Sequence, residues 1–439
     1  MKDMMIVFSL CIIYFIVGGM VHIIGSINSI TQVYTHKQIQ KNTIQSHSNL
    51  YIIIPAYREQ KTIIDSLKFF SQFVSQYVEK CYYVTSAHER DDSSISTYEI
   101  IMSYLNEHKE SCIQLIEAPA NCKGKVGQLN YALSFLHETN SIQTIDYIGI
   151  YDVDSRPSYG TTTILHHMID SYLESLKELP YVFQQISLYN HNLYRFGIKN
   201  IFNIDDAVLQ SQWSIGFEYP LLTIYKKARD TNRILPLVYC IGHGCFISAS
   251  FLKQIGGVPT INKNDDLSLG YLLSTMRGNI VPLPSIDSCE IAPTVYESIK
   301  QYQNWAKGSF RFWRDIQTYI KNHNLNITPV QKTWFWIEGT ARNCLWAYRG
   351  LMLLSIIIYS ILHPTYWIST IIAICLYCLI PYLLTCEFIN ESSCKDEKIS
   401  SLKIVLGVII SPLSICLRCI GPFCAQFFKN DSEFKVNRI

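Results

Sequence analysis

At 439 residues the chain is long enough for one large domain, or for one domain together with membrane segments. Hydrophobic residues make up 49% and charged residues only 16%, against roughly 25% charged in an average soluble domain, and the apolar excess lies at the two ends. The net charge of +2 excludes both the broad basic field of a nucleic-acid binder and the acidic run of a solvated tail.

In chain order, residues 4–27 are apolar apart from His22 and small polar side chains, close to the ~20 residues that a helix needs to cross a bilayer. This predicts a membrane helix within residues 1–30. A cleaved signal peptide, with Gly18, Gly19 and Ser26 as its small residues, is the alternative. The polar stretch 31–49 reads as a linker. Residues 51–55, 81–85, 113–117 and 147–151 then read as strands, with helical periodicity over 59–77, 96–105 and 126–136. Such alternation implies an α/β domain, here 50–328, with a mostly parallel sheet covered on both faces. Ligands of such sheets bind beyond the carboxyl ends of the strands.

From residue 329 to 439 the character changes. Trp334, Trp336, Trp346 and Tyr348 suit an interfacial aromatic belt. Residues 345–362 and 366–386 predict a membrane hairpin around His363-Pro364-Thr365. A polar loop over 387–401 leads to a last apolar segment, 402–428, which contains Pro412 and Pro422 and reads as either crossing or re-entrant. The fifteen cysteines are scattered and several lie in apolar runs, so they read as small packing residues rather than a disulfide or metal framework. A reducing compartment is the simpler setting.

The residues that could carry chemistry follow the strands. Asp152 and Asp154 stand two apart after the fourth strand, a spacing suited to a hard divalent cation and equally to a solvated turn. Pro55, Tyr57 and Glu59 follow the first strand, where backbone N–H groups and an aromatic ring could face a base. Gly124-Lys125 opens a helix and suits a diphosphate, though it is no Walker A loop. Asp265 and Asp266 open another helix, either as dipole-compensating caps or with one of them as a proton acceptor. Gln301 and Trp305 offer polar and indole contacts to a sugar. His243, between two glycines, reads as a hydrogen-bonded loop histidine.

Taken together, the order and spacing over residues 50–309 resemble the inverting, membrane-bound family 2 glycosyltransferases, the group of the cellulose, chitin and hyaluronan synthases. The resemblance implies a GT-A-type fold between N- and C-terminal transmembrane helices, with Pro55, Tyr57 and Glu59 at the nucleotide base and Lys125 at the diphosphate. It implies Asp152 and Asp154 as ligands of Mg²⁺ or Mn²⁺, with Asp152 also facing the nucleotide, and Asp266 as catalytic base. Gly242 to Cys245 would lie near the acceptor, and Gln301 and Trp305 would match the Gln-x-x-Arg-Trp motif. Glu89, Asp91 and Asp92 compete for the acidic position after the second strand, and Asp91 is assigned to the base. Asn304 stands where processive synthases carry Arg.

The implied activity is inverting transfer from a nucleotide-sugar, UDP being the commonest carrier, to a growing polysaccharide or other glycan acceptor. The alternatives are addition of one sugar to a lipid-linked acceptor, or a non-catalytic nucleotide-sugar-binding membrane protein. The implied partners are the donor, the glycan or lipid-linked acceptor and the lipid bilayer, with no nucleic acid. The implied setting is the cell inner membrane with the catalytic domain cytoplasmic.

Overall fold

A computed structural model describes residues 2–37, 48–74, 78–91, 95–108, 112–139, 142–393 and 398–427. Eight strands form one sheet: β1 (Leu50–Pro55), β2 (Lys80–Ser86), β3 (Ile113–Ala118), β4 (Tyr147–Ile150), β5 (Arg156–Pro157), β6 (Val182–Leu188), β7 (Cys245–Ser248) and β8 (Ile280–Ser288). Their order is β3-β2-β1-β4-β7-β6-β8-β5. The first four are parallel to one another, β6 and β8 are parallel, β7 runs antiparallel between β4 and β6, and β5 pairs antiparallel with β8. The fold is therefore α/β with a mostly parallel sheet, in which β7 at the centre and the short β5 at one edge are reversed.

Helix α1 (Lys2–Lys37) precedes the sheet. Between and after the strands come α2 (Ile63–Phe73), α3 (Thr97–His108), α4 (Gly124–Thr139), α5 (Thr161–Glu174), α6 (Ile201–Trp213), α7 (Tyr219–Asp230), α8 (Ala249–Ile255) and α9 (Asp265–Met276). The carboxyl-terminal part is helical: α10 (Val295–Ser309), α11 (Phe312–Asn322), α12 (Pro329–Leu362), α13 (Trp367–Ile374), α14 (Ile380–Ser392) and α15 (Ser401–Ala425). Wide π turns at 214–218 and 375–379 join α6 to α7 and α13 to α14.

Strand side chains alternate between two faces. Tyr51, Ile53, Tyr82, Val84, Ile148 and Ile150 pack under Leu129, Leu133 and Leu136 of α4 and Leu269 and Leu272 of α9. Leu50, Ile52, Ile54, Cys81, Tyr83 and Tyr147 pack under Leu67 and Phe70 of α2, Ile101 of α3 and Leu165 of α5. Both faces are thus covered, which fixes the register of the strand ends that carry the polar residues.

Among the described residues four helical stretches are long and apolar enough to cross a membrane: residues 4–36, 329–362, 364–392 and 401–425. Exposed Ile6, Leu10, Ile13, Val17, Val21 and Ile24 line α1. That helix continues through Lys37, so residues 31–37, expected as linker, are helical. The cause is packing beyond the apolar stretch: Ser29 Oγ donates to the Ile215 carbonyl (2.7 Å), and Tyr219 Oη donates to Gln32 Oε1 (2.9 Å). The last apolar segment is one helix with Pro412 and Pro422 inside it. Among the described residues every cysteine is a free thiol.

The middle of the chain also enters the helix bundle. Ile204, Ala207, Val208 and Leu209 of α6 share a core with Phe8 and Phe15 of α1, Leu353 of α12 and Tyr382 of α14. The boundary between the sheet unit and the apolar helices is thus interleaved.

Helix α9 lies hard against the 239–240 backbone, since a Cβ on Gly270 would come 2.1 Å from Tyr239 Cα. No side chain can move aside there. Gly270→Ala is expected to destabilise the protein by about 3 kcal/mol or more, read as a lowered unfolding midpoint in detergent.

Candidate active site

The site lies at the carboxyl ends of β1 and β4, where Gly242, in the approach to β7, meets the start of α9. Helix α4 begins at Gly124, whose φ of +69° is a left-handed conformation that favours glycine. This turn directs Lys125 inward, and its Nζ donates to Asp152 Oδ1 at 2.7 Å and to the Gly242 carbonyl at 2.6 Å. A Cβ on Gly242 would come 3.1 Å from Asp266 Oδ2 and 3.4 Å from Lys125 Nζ. Asp152, Lys125, Gly242 and Asp266, drawn from four stretches of chain, therefore meet. Burial alone would lower the Lys125 ammonium, but Asp152, Asp265 and Asp266 outweigh it and hold its pKa above the usual lysine range.

Asp266 sits at the first turn of α9, where its Oδ1 accepts the Leu267 N–H at 2.8 Å. Burial, and then the adjacent Asp265, push its pKa up to about 7. The turn is braced from behind. Asn264 Nδ2 donates to the Trp305 carbonyl (2.9 Å), and Asn262 Nδ2 donates to the Gly308 carbonyl (3.1 Å) and to Asp315 Oδ2 (2.6 Å). The end of α10, with Trp305, is thereby fixed beside the two carboxylates. Gln301 lies one turn earlier on α10, half-buried, and among the described residues it makes no hydrogen bond to this centre.

On the other side of Asp152 lies a group in which Asp154 and His243 were expected from the sequence and Asp287 and Cys289 were not. Asp154 is buried, and its Oδ2 accepts the Glu290 N–H at 3.2 Å. Beside it, His243 Nδ1 and Asp287 Oδ2 are 2.8 Å apart, Cys289 Sγ is 3.3 Å from His243 Nδ1, and Ser155 Oγ donates to Asp287 Oδ2 at 2.9 Å. His243, Asp287 and Cys289 are all buried, and their ligand atoms lie within 4.8 Å of one another. Burial would lower the His243 pKa, but Asp287 and then Asp152 raise it above the usual histidine value. His243 is the hydrogen-bonded loop histidine expected, with Asp287 as its partner, and it adjoins Gly242 at the centre. Asp287 Oδ1 is buried without a hydrogen-bond partner, an arrangement that a cation would satisfy. The set of carboxylate, imidazole and thiol with Asp154 alongside fits a divalent metal.

The first loop is held differently from expectation. The helix expected from residue 59 begins at Ile63. Pro55 pairs with Val84 at the end of β1, and Tyr57 is half-buried under the Arg58 guanidinium, 5.2 Å from its ring centroid. Glu59 is buried, and its Oε2 accepts the Thr62 hydroxyl at 2.8 Å, so its carboxylate organises the turn. Glu89, one of the three competing acids, is also committed to the scaffold. It accepts from Arg58 N, Gln60 Nε2, Thr97 N and Thr97 Oγ1 at 2.6–3.0 Å. The Asp91 side chain and all of Asp92 lie outside the described residues. Gln128 Nε2 donates to the carbonyls of Ala56 (3.0 Å) and Val84 (2.7 Å), tying α4 to the ends of both strands.

No family model and no curated protein matches this chain. Among solved structures, the mannosyltransferase PcManGT from Pyrobaculum calidifontis, in complex with GDP-Man and Mn²⁺, is similar at 14% identity and a TM-score of 0.43, over 90% of this chain and 98% of that one. Glucosyl-3-phosphoglycerate synthase from Mycobacterium tuberculosis, in complex with Mn²⁺, UDP and phosphoglyceric acid, is similar at 14% identity and a TM-score of 0.34, over 59% of this chain and 77% of that one. Likeness at this level is distant.

Proposed function

We propose that this chain is a membrane-anchored, metal-dependent inverting glycosyltransferase, with residues 50–328 as its cytoplasmic catalytic unit at the inner membrane. One observation carries the reading: Lys125 joins Asp152 to the Gly242 carbonyl, and the Asp266 carboxylate lies against the same glycine, 3.1 Å from where a Cβ would stand. Charge for a diphosphate and a poised base thereby meet in one cleft.

In this reading Asp266 accepts the proton of the acceptor hydroxyl as that oxygen attacks the anomeric carbon. A carboxyl whose pKa is raised toward 7 is a stronger base, once ionised, than an ordinary carboxylate. Lys125 offers its ammonium to the donor diphosphate, and Pro55 and Tyr57 border the nucleotide, with Glu59 shaping their loop. Asp154, with Asp287 and His243 beside it, would hold Mg²⁺ or Mn²⁺. A bound cation would offset the charge that builds on the departing nucleoside diphosphate. Trp305 presents an indole near the acceptor, and Gln301 lies on the same helix. Preorganised dipoles and placement of this kind contribute several kcal/mol to such transfers.

The donor is taken to be a UDP-sugar, and the acceptor a glycan or a lipid-linked molecule. Asn304, in place of the arginine of processive synthases, favours a single addition. The test is to incubate the purified protein with Mn²⁺ and a panel of labelled nucleotide-sugars, with extracted membrane lipids as acceptors. Release of one nucleoside diphosphate with a product one sugar heavier is expected. A ladder of longer products would select elongation instead, and no turnover with any donor would reject the enzyme reading.

A further inference from the structure

Where α1 and α12 meet the turn between α6 and α7, two buried polar side chains each keep one nitrogen without a hydrogen-bond partner. Arg349 of α12 is 9% exposed and its Nε is unpartnered, and His22 of α1 is 7% exposed with its Nδ1 unpartnered. Both face Trp213 at the end of α6: the guanidinium lies 5.7 Å from its ring centroid, and the His22 ring also lies 5.7 Å from it. The polar neighbours of Arg349 are the Tyr377 and Tyr14 phenols and the Cys419 thiol. Among the described residues no carboxylate pairs with it. Arg418, also buried in the bundle, differs in its counter-charge: its Nε, likewise without a hydrogen bond, lies 3.2 Å from Asp206 Oδ1 as an ion pair.

A guanidinium enclosed by apolar helices with no counter-charge is costly unless an anion completes it. Its planar fork matches phosphate oxygens, and a histidine and two phenols at hand add donors. The depth also suits a headgroup, since Trp346 and Tyr348, both half-buried, stand within one turn of Arg349 on α12, where an aromatic belt would meet the water interface. From this point a polar path leads inward. Trp213 Nε1 donates to Tyr239 Oη (3.0 Å), Tyr239 Oη donates to Glu218 Oε1 (2.8 Å), and the chain from Tyr239 runs to Gly242 beside Asp266.

We propose that Arg349 and His22 form a binding site for a phosphate monoester at the membrane face of the protein, with a lipid as its carrier. The role of that lipid as sugar acceptor rests on the glycosyltransferase reading; the binding itself does not.

The test is native mass spectrometry of the full chain released from detergent, titrated with phosphatidic acid, phosphatidylcholine or inorganic phosphate. Phosphatidic acid is expected to be retained over phosphatidylcholine, and Arg349→Gln to weaken it by about tenfold or more, the worth of one charge-assisted contact. His22→Gln and Arg349→Lys should weaken it less. Lys403→Gln, which removes a cation from another membrane helix, should leave it unchanged. Displacement by inorganic phosphate at equal concentration, with the same Arg349 dependence, would keep the anion site and assign it to a soluble phosphate. Equal retention of the two lipids, or equal binding by wild type and all three Arg349 and His22 variants, would overturn the proposal. If Arg349→Gln does not fold, the other two variants carry the comparison. These readouts need no turnover, so failure of the enzymatic reading and failure of the site are separable.

Discussion

Asp266→Asn is expected to lower sugar transfer by roughly 10²–10⁴-fold, the usual contribution of a positioned base, with nucleoside diphosphate binding retained. The amide keeps the size of the carboxyl and its place at the first turn of α9 but cannot accept the proton. The pH dependence follows from the same environment. Burial and the adjacent Asp265 raise the Asp266 pKa to about 7, and the base form is the ionised one, so kcat/KM should fall as pH drops below about 7. Asp265→Asn removes the neighbouring charge and should move that limb to lower pH. Stability should show the opposite face of the same shift. A carboxyl raised in the folded state costs stability as pH climbs from its unfolded value of about 4 through its folded one. Asp266→Asn should therefore unfold at a higher temperature than wild type at pH 8 and show little advantage at pH 4. An acid limb that Asp265→Asn leaves in place would count against Asp266 as the base.

The second large effect concerns the cation. Asp154→Asn and Asp287→Asn are each expected to weaken Mn²⁺ binding by about 100-fold, measured as free Mn²⁺ by electron paramagnetic resonance, with transfer falling in step at fixed metal. The two residues come from different strand ends, after β4 and at the end of β8, and either loss leaves the buried group with fewer oxygens. Because an imidazole and a thiol share this group, Mn²⁺ should support more activity than Mg²⁺, which prefers an all-oxygen shell. Cys289→Ser should narrow that preference. If Asp287→Asn binds Mn²⁺ as tightly as wild type, the cation is held by the Asp152–Asp154 turn without the β8 residues.

The sequence displayed half of this site. Strands β1 to β4 are short, apolar and rich in β-branched or aromatic residues, and each ends in a polar turn, so the residues around Pro55, Lys125, Asp152 and Asp154 could be placed by pattern. Asp287 and Cys289 could not. The strand before them contains Pro282 and Pro284, and proline inside an apolar run argues against a strand. β8 tolerates them because β5 pairs only with Asp287 and Ser288, leaving an open edge along the rest of the strand. Glu59 and Glu89 show the reverse failure. Type and position suggest ligand contacts, yet their carboxylates are occupied by Thr62, Thr97 and the 58–60 segment. The length of α1 was hidden for a different reason. Loss of apolar character marks where a helix leaves lipid, and says nothing of where its hydrogen bonding stops. The one available signal for His243 was its place between two glycines, and only the fold brings Asp287 to it.

Helix α10 links the proposed site to the lipid around the protein. At one end the Trp305 carbonyl accepts from Asn264 at the foot of α9, and along its side the backbone touches α15 so closely that a Cβ on Gly421 would come 2.4 Å from the Ile299 carbonyl. Backbone pressed on backbone transmits tilt with little slack. A change in lipid chain length that reorients α15 to match its hydrophobic span would travel along α10 as a rigid lever and reset the spacing between indole and base, making turnover sensitive to bilayer thickness.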